Sequence, residues 1–127
     1  MSDRQWQADD LTGDVAVDST EVDGLAVTKV TGDVDLAGVD LVRAELAAQV
    51  RRRPPVLVVD LSGVTVLGSL GIAALLDAHR DATTAGVGFA VVASHRSVVR
   101  PLRLTEVDRL LTVAPTLDHV VAANRPG

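Results

Sequence analysis

Between Pro54-Pro55 and Asp60 the chain reads Val56-Leu57-Val58-Val59, four aliphatic residues in a row with no polar alternation. A strand of this composition has no face suited to water, so it belongs inside a sheet that is covered on both sides. That requirement calls for other strands beside it and helices packed against it. The covering material has to be aliphatic, because Trp6 and Phe89 are the only aromatic residues and tyrosine is absent. With 127 residues, 47% of them hydrophobic, the chain suits one domain with an ordinary core.

Upstream of the run, Val15 and Val17 alternate with polar residues. After Asp23-Gly24, Leu25, Val27 and Lys29 alternate with Ala26, Thr28 and Val30. This pattern predicts two strands joined by a tight turn. After Thr31-Gly32 the period changes to Leu36, Val39, Val42, Leu46 and Val50, a stripe at helical spacing, with Asp35 as its expected N-cap. Pro54 and Pro55 stop that helix, and Arg51, Arg52 and Arg53 suit the negative end of its dipole. The central strand is expected to end at Asp60. A second helix, from about Ser69 to Ala85, turns Ile72, Leu75, Leu76 and His79 to one side and stops at Gly86. Val87 to Ala93 reads as a further strand, and the loop Ser94-His95-Arg96 leads to a helix beginning near Ser97. Leu110 to Val113 reads as a short last strand and Thr116 to Ala123 as a terminal helix. A hairpin followed by helix–strand alternation predicts an α/β domain, a mixed sheet carrying helices.

Charge and cysteine content narrow the function classes. Residues 1 to 24 hold seven acids against the single base Arg4, leaving the rest of a chain of net charge -5 close to neutral. Such a body lacks the clustered cations and aromatic platforms of a nucleic-acid binder, so protein partners are expected instead. No cysteine is present, which excludes a disulfide framework and thiol chemistry. The polar, acidic start lacks the pattern of a secretory signal, and no apolar run approaches the roughly 20 residues of a membrane span. A cytoplasmic protein without membrane contact is the resulting expectation. Residues 1–13 read as an acidic flexible tail in which Trp6 is a candidate for docking on the body, 14–123 as the folded domain and 124–127 as a short C-terminal tail.

The most informative stretch is Asp60-Leu61-Ser62, a short spacer, then Gly68-Ser69-Leu70-Gly71 opening a helix. It resembles the STAS family, whose members carry a strand ending in Asp-Leu-Ser and then Asp-Ser-Ser-Gly or Asp-Ser-Thr-Gly. The likeness extends over roughly residues 14 to 122, through Gly32-Asp33-Val34-Asp35, the Pro-Val-Leu-Val-Val-Asp strand and Val99-Arg100-Pro101-Leu102. It implies a STAS fold, with about four to five strands in a mixed central sheet and about four helices. It further implies a bacterial anti-sigma factor antagonist, which is no enzyme and needs no metal or cofactor. Such a protein binds an anti-sigma factor serine kinase of the GHKL type by partner switching, is phosphorylated on a serine, and is reset by a serine phosphatase. Ser69 matches that serine. Asp33, Asp35, Gly68, Leu70, Gly71 and Ile72 are the expected partner-binding residues, and a monomer or weak homodimer is the expected state. This sequence departs from the family pattern where Gly68 replaces an acid and Leu70 replaces a second hydroxyl.

Elementary chemistry gives Ser69 two roles. A serine at a helix start can cap unpaired backbone N–H groups, and a phosphate there meets the positive end of the helix dipole. Three other readings compete. A phosphorelay receiver would gather Asp60, Asp33 and Asp35 around magnesium but needs a late lysine, and Lys29 is the only lysine. A hydrolase would need His79, His95 or His119 beside a nucleophile elbow or at metal spacing, and neither motif is present; His95, in a loop after a strand, is the one best placed to bind something. A STAS domain outside any sigma pathway, serving as scaffold, small-ligand sensor or transport accessory, shares the fold.

Overall fold

In the computed structural model, which describes residues 15–124, five strands form one sheet. They are β1 (Ala16–Val22), β2 (Leu25–Val34), β3 (Val56–Leu67), β4 (Gly88–Val92) and β5 (Thr112–Ala114), in that spatial order. The helices are α1 (Val39–Arg51), α2 (Ser69–Ala85), α3 (Arg96–Leu104) and α4 (Leu117–Ala123), with a 3-10 turn at Val107–Arg109. The acidic tail expected over 1–13, Trp6 with it, and the last three residues lie outside the described residues.

The apolar run occupies the centre of the sheet, where Leu57, Val58 and Val59 are completely buried. Its side chains alternate between two cores. Leu57 and Val59 meet Val42 and Leu46 of α1, Leu75 of α2 and Val98 and Leu102 of α3 in one aliphatic cluster. Val58 faces the smaller cluster, with Leu25, Val27, Ala90 and Val92 under Val120 and Val121 of α4. β1 and β2 pair antiparallel around Asp23 and Gly24, whose φ values of 50° and 84° make the two-residue turn that matches strand twist. The other pairings, β2 with β3, β3 with β4 and β4 with β5, are parallel.

Several boundaries differ from the sequence expectation, and each has a local cause. β2 continues through Gly32 and Asp33 to Val34, and β3 continues past Asp60 to Leu67. Register shifts at Lys29/Thr31 and Gly32/Asp33 let β3 carry extra residues, so its Ser62-Gly63 segment is a bulged strand rather than a turn. Asp60 accepts the Ser62 N–H at 3.0 Å within that bulge. Asp35 is not the N-cap of α1; Gly38 is. The Asp35 carbonyl accepts the N–H groups of Gly38 and Val39, and its carboxylate accepts that of Ala37, which makes a turn before the helix. Leu36 therefore lies outside the helix and off the core stripe, 78% exposed. Gly38 is required there because a Cβ would come within 2.4 Å of Val15 Cγ2. α3 starts at Arg96, and β5 begins at Thr112, leaving Leu110 outside it.

α2 ends as expected. Gly86, at φ 75°, takes the left-handed position, its N–H bonding Thr83 O while that of Val87 reaches Ala82 O. At the other end of α2, a Cβ on Gly71 would lie 2.7 Å from Leu67 Cδ1 and 2.9 Å from Val34 Cγ1, so the helix start presses directly on the ends of β2 and β3. α1 and α2 are joined across their surface by Arg43 and Asp77 at 2.7 Å. The Arg43 hydrogen bond holds the Asp77 carboxyl below its ordinary titration range; burial opposes this, and the Arg43 and Arg80 charges reinforce it.

Three outcomes are expected. Leu46→Ala removes a fully buried contact between α1 and the sheet and lowers stability by about 2–5 kcal/mol, read from the midpoint of urea unfolding. Gly71→Ala overpacks the α2 start and costs about 1–3 kcal/mol in the same assay. A carboxyl depressed in the folded state stabilises the fold above its unfolded pKa, and that contribution is lost as pH falls through the folded value. Arg43→Gln is therefore expected to raise the Asp77 titration midpoint, followed by carboxyl-carbon NMR, and to shrink the stability lost in acid.

Candidate functional site

The chain order brings two backbone ends together at one edge of the sheet. Val34, the last residue of β2, pairs with Leu67, the last of β3, and the Gly68 N–H then bonds Val34 O at 3.2 Å. This bond and the Gly71 contact fix where α2 begins. Gly68, extended at ψ 179°, is the N-cap, and no side chain caps the helix. Ser69 is thus the first helical residue rather than the cap that its position in the sequence allows. Its side chain is exposed and its hydroxyl forms no hydrogen bond among the described residues. The first turn of α2 contains no acid, so the positive end of the helix dipole is not neutralised there.

Leu70 follows with 41% exposure, while Ile72 is buried in the core at 8%. Gly71 is buried as well. Neither position presents a side chain at the surface: Gly71 has no room for one, and Ile72 lies in the core cluster with Leu67 and Leu75. What they do is seat the helix. Asp33 and Asp35 remain at the same edge, but each already holds local structure. Asp33 accepts a hydrogen bond from the Thr65 hydroxyl across the β2–β3 pair, and Asp35 makes the turn to Ala37.

Two further apolar residues lie at this edge: Leu36, which periodicity assigned to the α1 stripe, and Val66, from the spacer before Gly68. Val66 is 49% exposed opposite Asp33, and Leu36 stands out from the turn two residues after Val34. The available signal was their mismatch with the core period: Val66 is flanked by exposed Thr65 and buried Leu67, and Leu36 precedes the helix proper. Leu36, Val66 and Leu70 are thus exposed apolar side chains on the segments that meet where β2 and β3 end and α2 begins.

The alternative chemistries lack their geometry. Asp60 lies in mid-strand, Cα-paired with Lys29, roughly 15 Å or more along β3 from the Asp33 pairing at Val66. No cluster of three or more His, Asp or Glu side chains suited to a metal occurs among the described residues. His79 is half-buried against Phe89, ring centroids 5.7 Å apart, and its Nδ1 has no hydrogen-bond partner among the described residues. His119 shares a 2.7 Å hydrogen bond with Thr116, whose hydroxyl caps α4. His95 is exposed at the start of α3 and lines a cavity of about 200 Å³ with Ser62, Thr65 and Ser97. No helix among the described residues is long and apolar enough to cross a membrane.

Comparison with known proteins agrees with this architecture. The family model described as STAS domain matches residues 16–120. The anti-sigma-F factor antagonist RsfB of Mycobacterium tuberculosis is 30% identical over 113 residues, 89% of this chain and 92% of that protein. The crystal structure of an anti-sigma factor antagonist from Mycobacterium paratuberculosis superposes with a TM-score of 0.83 at 33% identity, over 88% of this chain and 95% of that one. The anti-sigma factor antagonist SpoIIAA in its unphosphorylated form superposes with a TM-score of 0.70 at 13% identity, over 85% of this chain and 95% of that one, a likeness of fold alone. A sheet of order β1-β2-β3-β4-β5 with four helices, matched by the family model over most of its length, identifies this chain as a member of the STAS domain family.

Proposed function

We propose that this protein is an anti-sigma factor antagonist that works by partner switching, with Ser69 as its phosphoswitch. The observation that carries the reading is the exposed, unbonded Ser69 hydroxyl at the first turn of α2, beside Leu36, Val66 and Leu70. The names of relatives at 30% and 33% identity over nearly the whole chain support it. In the unphosphorylated state the apolar edge docks on a GHKL-type serine kinase that also serves as anti-sigma factor, and the sigma factor is thereby freed. Asp33, Asp35 and Gly68 border that contact, and Leu70 is its apolar anchor.

Phosphorylation transfers the γ-phosphoryl group of ATP to the Ser69 oxygen, and the hydroxyl proton leaves to a base on the kinase. The new group brings a charge of about -1.5 to -2 into the centre of an apolar contact, where desolvating it costs more than the contact returns. Within the antagonist itself the phosphate is well tolerated, because the α2 N-terminus has free N–H groups and no acid in its first turn. Gly68, where the family pattern has an acid, leaves that end of the helix without a competing charge. A serine phosphatase hydrolyses the ester and returns the protein to its docking state.

The test is a pull-down from the source cell's lysate with native, Ser69→Ala and Ser69→Asp protein, with mass spectrometry of partners and of Ser69. Native and Ser69→Ala protein are expected to recover a serine kinase of this type. Ser69→Asp should bind it at least about tenfold more weakly, and phosphate should be found on native Ser69. Equal recovery of a scaffold or transporter by all three, with Ser69 unmodified, overturns the reading in favour of a STAS domain outside a sigma pathway.

A further inference from the structure

Three of the described arginines, Arg43, Arg80 and Arg109, are held in ion pairs with Asp77 or Glu106. The α3 arginines differ. Arg96, Arg100 and Arg103 stand at i, i+4 and i+7, so they share one stripe of the helix. All three are exposed, and none is in an ion pair with a described residue. No acid occurs between Arg96 and Thr105. Val98 and Leu102, on the other side of α3, are locked into the core, which holds the stripe outward. Its three guanidinium groups span roughly 10 Å of helix axis. Half-buried Val99 and Leu104, 72% exposed, lie among them, and with Ser94 they line a groove of about 480 Å³.

We propose that this face of α3 docks an acidic segment of a partner protein, one that presents carboxylates a helical turn apart beside an aliphatic side chain. The protein carries a net charge of -5, so a cationic stripe is a local feature and not a property of its surface at large. Guanidinium groups pair with carboxylates through two parallel hydrogen bonds, and the groove between Val99 and Leu104 takes the aliphatic side chain. Nucleic acid is a poorer fit. Three cations neutralise few phosphates, and α3 has no aromatic side chain for stacking. The stripe begins near the sheet edge that carries Ser69, since His95 and Ser97 line one cavity with Thr65, whose hydroxyl binds Asp33. It nevertheless stands independently of the Ser69 reading.

The probe is a fluorescein-labelled helical peptide with Glu at i, i+4 and i+7 and Leu at i+3, and its Gln counterpart is the control. By fluorescence anisotropy the full chain is expected to bind the Glu peptide saturably and the Gln peptide far more weakly. Raising NaCl from about 50 to about 500 mM should weaken binding about tenfold, because the contact is exposed to screening. The combined Arg96→Gln, Arg100→Gln and Arg103→Gln variant should lose at least about tenfold, with its fold verified by circular dichroism. Arg51→Gln, which removes an exposed cation on α1 outside the stripe, should bind the peptide unchanged, and the Ser69 pull-down reads the phosphoswitch separately. No binding of the Glu peptide, or equal binding by the triple variant, overturns the proposal. So does tighter binding to phosphatidylglycerol vesicles or duplex DNA, or efficient displacement by a peptide of residues 1–14. Those outcomes assign the stripe to lipid, nucleic acid or the chain's own acidic leader.

Discussion

The whole arrangement rests on a strand that has no polar face. Leu57, Val58 and Val59 are fully buried in β3, so the sheet needs packing on both sides. The two sides are unequal. α1, α2 and α3 cover one, and the seven-residue α4 covers the other with Val120 and Val121. An aliphatic core of this kind gains its stability from close packing of branched side chains rather than from aromatic bulk. At Gly38, Gly63 and Gly71 neighbouring side chains leave no room for a Cβ.

The edge that carries Ser69 is a by-product of how that core ends. Leu67 and Ile72 turn inward while Val66 and Leu70, their near neighbours in sequence, turn outward. The contact of Gly71 with Val34 and Leu67 sets the position of α2, and the Gly68 bond to Val34 O sets its first turn. Ser69 is consequently presented on a rigid support, with its hydroxyl left unbonded among the described residues. A switch placed here need not deform the fold: adding or removing a phosphate changes the surface, while the residues that seat the helix lie one layer below. The β3 bulges serve the same edge, bringing Thr65 to Asp33 and leaving Val66 exposed.

Most elements were legible in the sequence because their signals are local. The Asp23-Gly24 turn, the α2 span with its Gly86 stop and the central strand follow from turn chemistry, capping and period. The errors share one cause. Gly32, Asp33, Ser62 and Gly63 look like turn residues, yet pairing between β2 and β3 carries them inside strands, with bulges absorbing the mismatch. Leu36 fits the α1 period by spacing but falls in the turn that Asp35 makes. Gly71 closes the family motif and Ile72 follows it, and a motif does not reveal which of its residues face the core.

The sequence by itself determined the fold class, the central strand, the order of helices and strands and the position of Ser69 at a helix start, because each depends on residues close together in the chain. Only the tertiary structure decided which residues form a surface. It buried Gly71 and Ile72, exposed Leu36 and Val66, moved the cap from Ser69 to Gly68, and aligned three arginines along the outer face of α3. Exposure at these positions is set by contacts between distant segments, Val34 with Gly71 and Val98 with the sheet, and no local pattern encodes those contacts.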